Sequence, residues 1–301
     1  MTIQKNSALK WLLMVALALI WGSSFTLMRR GLISFSAPQV ASIRMFASFL
    51  CLLPFVIRHT RKIRKEHWKF IFATGLLGNG IPAFLFATAQ TKIPGFMAGM
   101  LNSLTPVFTL IIGYFVFHTA TTVSKVAGVM LGLGGAIGLI LINSDGSLGH
   151  TISWYPLLIV IATICYASSV SIIKNKLQEV PSILISGFAL CIVGPPTGIY
   201  LFSTDFIQKL QHQPGAYEGL GYVLLLALFG TAISIVIFNQ LIKVSSALFA
   251  SSVTYLIPIV AMFWGLADHE HPGPAHIIAL SAILGGVYLI NKKQKQNEVK
   301  N

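Results

Sequence analysis

The sequence predicts an all-α membrane protein of ten transmembrane helices, built as two inverted five-helix repeats. Three observations carry this. Of 301 residues, 55% are apolar and only 10% are charged, against roughly a quarter charged in an average soluble domain. Apolar runs of bilayer-crossing length recur ten times. A shift of 152 positions then aligns Gly78, Phe86, Ala98, Leu104, Pro106 and Gly113 with Gly230, Phe238, Ala250, Leu256, Pro258 and Gly265, without a gap. After a one-residue slip, Gly134-Gly135 meets Gly285-Gly286. Shared Leu and Ala follow from composition, whereas Gly and Pro are conformationally constrained and make the better markers. A period of half the chain indicates duplication of one large unit, not a solenoid of about 20–50-residue repeats.

A hydrocarbon core of about 30 Å takes roughly 20 helical residues. The first half supplies 8–28, 37–57, 69–91, 95–117 and 123–142; the second supplies 154–173, 182–202, 219–241, 247–267 and 274–290. The first run lacks a small-residue cleavage site and is followed by Arg29-Arg30 and further spans, so it reads as a span and not a leader. Residues 1–143 form the first repeat, 144–153 a linker, 154–291 the second repeat and 292–301 a basic tail. The connections are too short to hold a soluble domain.

The net charge of +13 could suggest nucleic acid, but the basic residues sit in short clusters between spans, so topology is the better explanation and no nucleic-acid partner is expected. With the N-terminus inside, alternate connections place 16 Lys and Arg inside and 4 outside, with Arg44 inside the second span. Both termini are therefore expected in the cytoplasm, with Arg29-Arg30 as the local violation. The run from Arg58 to Lys69 is the strongest inside-facing determinant and touches anionic lipid heads in this reading. Five spans per half is an odd number, so the second half enters the membrane in the opposite sense, an architecture that recurs in secondary transporters with the site at the repeat interface.

Polar side chains at membrane depth need partners, so their clustering on helix faces is informative. Asn79, Phe86 and Gln90 share a face of the third span. Ala98, Asn102, Thr105 and Thr109 share one in the fourth, around Pro106. The second half answers with Thr231, Ser234, Phe238 and Asn239, then Ser251, Thr254 and Tyr255 ahead of Pro258. Trp21 and Tyr166 occupy similar places early in each half, followed by Gly22-Ser23-Ser24 and Ala167-Ser168-Ser169. The candidate solute-binding residues are Trp21, Ser24, Arg44, Asn79, Phe86, Asn102, Thr105, Tyr166, Phe238, Asn239, Thr254 and Tyr255. Arg44 has two readings: a cation for an anionic or carboxylate-bearing solute, or a side chain that snorkels or ties down helix ends. Pro106 and Pro258 are expected mid-helix, each removing a backbone donor and serving as a hinge or a static kink.

No Asp or Glu lies in any span, which leaves coupling through a buried acid without support. Cys51, Cys165 and Cys191 sit inside apolar runs and read as packing residues. Asp268-His269-Glu270-His271, with His276 beyond, lies in an outer loop broken by Pro272 and Pro274, which excludes the helical geometry of a zinc protease. No metal or other cofactor is expected. Gly-x-x-x-Gly spacings at 128/132 and 134/138 mark close helix packing, within the bundle or between two copies of the chain.

Trp21-Gly22-Ser23-Ser24-Phe25, Arg44, Leu104-Thr105-Pro106-Val107 and Ile257-Pro258-Ile259, in this order and duplicated, resemble the EamA family of the drug/metabolite transporter superfamily. The resemblance covers both repeats. It implies a ten-helix permease of the bacterial inner membrane that exports small metabolites. It also implies that helices 1–4 and 6–9 enclose a central cavity, with helices 5 and 10 outside them. One departure stands out: His118 occupies the place after the fourth helix where the family commonly has Glu, whereas Glu270 keeps it in the second half.

Three function classes compete. A secondary transporter of small metabolites such as amino acids, working by alternating access, explains the duplicated polar faces and paired prolines. A membrane-embedded enzyme needs a catalytic set at depth, and neither HExxH nor an intramembrane Asp pair occurs. A structural or signalling membrane protein has no need of duplicated polar faces. The lining chemistry suits zwitterions or neutral metabolites and suits polyanions poorly.

Overall fold

The computed structural model describes residues 7–58, 63–142, 153–270 and 272–291. Lys5, Arg61, Lys62, linker residues 144–152, His271 and the tail from 292 onward lie outside the described residues. The passes are α1 (Ser7–Ser34), α2 (Ala37–Ile57), α3 (Lys65–Ala89), α4 (Gly95–Phe117), α5 (Val123–Leu141), α6 (Tyr155–Lys176), α7 (Ser182–Phe202), α8 (Ala216–Val244), α9 (Ala247–Ala267) and α10 (Pro274–Asn291). Among the described residues, the first nine are long and apolar enough to cross a membrane. The tenth apolar stretch, Pro274–Ile290, is shorter, and at about 1.5 Å per residue it falls slightly below the bilayer core.

Three departures from the expected elements matter. First, α1 runs six residues past Met28 to Ser34, because Arg29 and Arg30 are neutralised where they stand. Arg29 pairs with Glu270 and Arg30 with Asp268, which gives the local violation of the charge rule a structural account. Second, a short helix, Phe206–His212, follows α7. It is anchored through the buried Gln39 of α2, whose amide donates to Thr204 Oγ1 (3.0 Å) and Asp205 Oδ1 (2.7 Å) and accepts from Lys209 Nζ (2.9 Å).

Third, Pro106 and Pro258 do not sit inside continuous helices. The pass α4 divides into Gly95–Asn102 and Thr105–Phe117, and α9 into Ala247–Ser251, a 3-10 turn over Ser252–Tyr255, and Ile257–Ala267. Each proline lies in the first turn of the second half-helix, where its missing N–H costs that helix nothing. The carbonyls four residues upstream, deprived of the usual donor, find hydroxyls. Thr105 Oγ1 donates to Asn102 O and Ser103 Oγ donates to Thr254 O, both at 2.8 Å. The second of these bonds joins the two halves of the chain.

A matching distortion occurs in α3 and α8. Leu76–Gly80 and Leu228–Ile233 are single π turns inside otherwise α-helical passes, and Gly78 and Gly230 fall within them at the 152-residue shift. Both glycines permit a close crossing with the other half. A Cβ on Gly78 would stand 2.5 Å from Ser169 Oγ, and one on Gly230 would stand 2.7 Å from Ser24 Oγ.

The packing follows the same exchange. α1 lies against α8 and α9, while α6 lies against α3 and α4. Outside this core α5 pairs with α10, where Gly128, Gly132 and Gly286 bring the backbones together. The 128/132 spacing is thus used within the chain. A Cβ on Gly135 would meet Ala279 O at 2.7 Å, whereas one on the adjacent Gly134 meets nothing within 4 Å. Gly135→Val is therefore expected to destabilise the protein by about 1–3 kcal/mol, and Gly134→Val to leave it unchanged. Denaturant unfolding in detergent, run on both variants, checks this.

Candidate functional site

Between the two halves lies a central cavity of about 120 Å³. Typical drug-sized pockets span about 300–1,000 Å³, so this one suits a small solute. Eleven of the twelve candidate residues line it: Trp21 and Ser24 from α1, Arg44 from α2, Asn79 and Phe86 from α3, Asn102 and Thr105 from α4, Tyr166 from α6, Phe238 and Asn239 from α8, and Thr254 from α9. Tyr255 is not among the lining residues and packs half-buried against the hydrophobic core. It closes the 3-10 turn of α9, where neighbouring side chains diverge by about 120°, so Thr254 and Tyr255 cannot serve the same face.

The lining is made of equivalent pairs. At the 152-residue shift Gly78 and Gly230, Asn79 and Thr231, Phe86 and Phe238, and Asn102 and Thr254 all face the cavity. The boundaries of α2 and α7 match at a shift of 145, residue 37 with 182 and 57 with 202. At that shift Trp21 pairs with Tyr166, Ser24 with Ser169 and Arg44 with Ala189, and these six also line the cavity. Thr74, Ser169 and Thr231 are polar lining residues outside the twelve candidates. The equivalences with Ser24 and Asn79 were the available signal for two of them.

The aromatic members hold one another. Trp21 meets Phe238 edge-on with centroids 4.9 Å apart, and Trp21 Nε1 donates to Gly230 O at 3.0 Å. Phe86 lies 5.9 Å from both Phe25 and Tyr166. Such contacts fix ring orientation and contribute about 0.5–1.5 kcal/mol each beyond burial.

Most hydroxyl protons are already spent on nearby carbonyls: Ser24 on Ile20, Thr74 on Ile71, Thr105 on Asn102 and Thr254 on Ser251. The same holds for face members that miss the cavity, with Thr109 donating to Thr105 O and Ser234 to Phe229 O. Gln90, also off the cavity, donates to Phe25 O at 3.1 Å, and its own buried Oε1 has no partner among the described residues. Asn239 donates to Ser186 Oγ at 2.9 Å. Within the cavity lining, the side-chain oxygens of Asn79 and Asn102, residues only 6% and 7% exposed, have no hydrogen-bond partner among the described residues. No hydrogen bond from the Arg44 side chain to a helix carbonyl is found among the described residues. Arg44 Nε donates to Thr231 Oγ1 at 2.7 Å across the cavity wall.

The two ends of the central bundle close differently. At one end the buried Glu270 accepts from Arg29 and from the first amides of α4, Gly95 N at 2.9 Å and Phe96 N at 3.3 Å. A carboxylate there meets unpaired N–H groups and the positive end of the helix dipole. At the other end Lys174, equivalent to Arg29 at the 145-residue shift, reaches the carbonyls of Ile242, Lys243 and Ser245 at the end of α8, and the ion pair of Arg64 with Glu179 (3.2 Å) is exposed to solvent. Lys243 Nζ donates to Val180 O at 2.6 Å. His118, which stands where a second carboxylate would complete the symmetry, caps α4 in a left-handed conformation with φ 52°. Among the described residues, no cluster of three or more His, Cys, Asp or Glu is disposed to hold a metal.

The profile of the EamA-like transporter family matches residues 9–141 and again 153–292. An "Uncharacterized transporter" of Archaeoglobus fulgidus is 23% identical over 95% of this chain and 99% of that protein. The "Uncharacterized inner membrane transporter YedA" of Escherichia coli K12 is 28% identical over 91% of this chain and 88% of its own. A solved crystal structure shares the fold across 95% of this chain and 97% of its own, with a TM-score of 0.64 at 16% identity. Two tandem family matches over a bundle of apolar helices make the chain a multi-pass membrane protein that belongs to the EamA-like transporter family.

Proposed function

We propose that this protein is a secondary transporter, an exporter or exchanger, that moves small metabolites such as amino acids across the bacterial inner membrane by alternating access. The observation that carries this is the cavity lined by equivalent residues from both halves. In two inverted repeats the same contacts would then be offered toward either side of the membrane. The lining of amides, hydroxyls and aromatics, with one Arg and no His, Cys, Asp or Glu, favours reversible binding over hydrolysis. The breaks in α4 and α9 beside Pro106 and Pro258 supply joints at which the half-helices swing. The charge distribution supports cytoplasmic termini.

Counterflow in proteoliposomes tests the reading, with labelled amino acids and neutral metabolites offered as a panel. Wild type is expected to exchange at least one of them saturably. Asn102→Ala removes an unpartnered cavity amide and is expected to raise KM about 3–10-fold, the equivalent of about 1 kcal/mol. In Asn239→Ala the amide lost is one already bonded to Ser186, so the expected effect falls on stability more than on KM. Absence of exchange for every solute, with protein folded and inserted, overturns the transporter reading.

A further inference from the structure

The cavity contains one permanently charged side chain and no counter-ion. Arg44 is the only Lys, Arg, His, Asp or Glu among the lining residues. A guanidinium held at membrane depth is costly without an anion beside it, and Thr231 offers only a neutral hydroxyl to its Nε. Nor does the repeat need a charge at this place for packing: the equivalent position in α7 is Ala189, which lines the same cavity. Two further demands are open. The buried side-chain oxygens of Asn79 and Asn102 lack donors among the described residues, while Ser24, Thr74, Thr105 and Thr254 have given their hydroxyl protons to their own helices.

Resting on the transporter reading, we propose that the cavity takes a small solute with a single carboxylate and a hydrogen-bond donor on the neighbouring carbon. The carboxylate pairs with the free edge of the Arg44 guanidinium, and the donor meets the side-chain oxygens of Asn79 and Asn102. Planar two-point pairing is the geometry in which guanidinium and carboxylate match best. Charge fixes the number of acidic groups at one, because a second would leave a net negative charge in an apolar chamber with no cation to meet it. The 2-hydroxy acids and 2-amino acids share the carboxylate contact; the single hydroxyl proton of the former serves one of the two amide oxygens, whereas the ammonium of the latter serves both. Of the two, a hydroxy acid brings the cavity to net neutrality, whereas an amino-acid zwitterion leaves it at one positive charge.

The test compares solutes that differ in one group. Counterflow by wild-type protein in liposomes is measured with lactate, its neutral amide lactamide, and alanine. Lactate is expected to exchange at least about tenfold faster than lactamide, since a site built for a polar group discriminates strongly against an analogue without it. The lactate-to-alanine ratio identifies the donor, hydroxyl or ammonium. Arg44→Gln is expected to bring the lactate-to-lactamide ratio to about one, and Arg44→Lys to retain part of it. Asn79→Asp, which supplies an internal anion, is expected to abolish lactate exchange. A purely structural Arg44 would alter protein yield or rate for all solutes alike and leave the acid-to-amide ratio where it was.

Wild type exchanging lactamide as fast as lactate overturns the carboxylate assignment and leaves the transporter reading standing. So does an unchanged ratio in a folded Arg44→Gln. Exchange of neither the acids, nor the amide, nor any solute of the wider panel removes both.

Discussion

Glu270→Ala is expected to destabilise the protein by roughly 3 kcal/mol, among the largest losses available from one side chain. Most of this does not come from the ion pair, because Arg29 is 45% exposed and exposed pairs contribute about 1 kcal/mol or less. It comes from the amides of Gly95 and Phe96, which begin α4 in a buried place and lose their acceptor. A buried donor left without a partner carries the full desolvation penalty. Glu270→Gln keeps one acceptor oxygen and is expected to lose about half as much. Asp268→Ala breaks only the pair with Arg30, itself 47% exposed, and is expected to change stability by less than about 1 kcal/mol. Denaturant unfolding of the three variants in detergent gives the order. Equal losses for Asp268→Ala and Glu270→Ala would show that charge, and not the capping of α4, governs this end.

Gly230→Val is expected to abolish transport while leaving the membrane-inserted bundle assembled. The first atom of a side chain there would stand 2.7 Å from Ser24 Oγ and 2.9 Å from Leu226 Cδ1, and overpacking of this kind costs about 1–3 kcal/mol. The functional effect exceeds the stability effect because of what the π turn carries. Gly230 O holds Trp21 by its indole N–H, and Thr231, one residue on, holds Arg44. Pushing α1 away from α8 displaces both cavity residues together. Gly78→Val is expected to act in the same way through Ser169. Gly221→Val, earlier in α8 and with nothing within 4 Å, serves as the control and is expected to transport normally. Initial rates of counterflow, normalised to protein recovered from the liposomes, decide the comparison.

The passes were legible because a bilayer imposes a length and a polarity on every element that crosses it. The bounds of α2, α4, α7 and α9 agree with the apolar runs to the residue. Eleven cavity residues were legible for a related reason: amides and hydroxyls within apolar helices gather where partners are found, and the duplication counts each position twice. What stayed hidden depends on backbone geometry or on distant partners. A π turn shifts hydrogen bonding from i−4 to i−5 and leaves Gly78 and Gly230 as its only trace. The splits in α4 and α9 put Pro106 and Pro258 in a first turn, and the proline alone does not distinguish that from a kink. Arg29 and Arg30 looked misplaced because their partners stand 241 and 238 positions away. The side chain of Arg44 gave no sign of its direction until Thr231 was placed beside it.

The unequal ends of the bundle have a consequence for the cycle itself. A duplicated protein with identical closures would visit its two opposite states equally often, and gradients alone would set its direction. Here one closure joins a buried carboxylate to a guanidinium and two helix amides, while the opposite one sets an ammonium against neutral carbonyls and has its ion pair, Arg64 with Glu179, exposed to solvent. For the transport cycle proposed above, the population at rest is expected to be skewed toward the conformer sealed at the Glu270 end. In the proposed cycle a skew of that kind is a kinetic property: it slows loading from the sealed side without altering the equilibrium distribution of the solute.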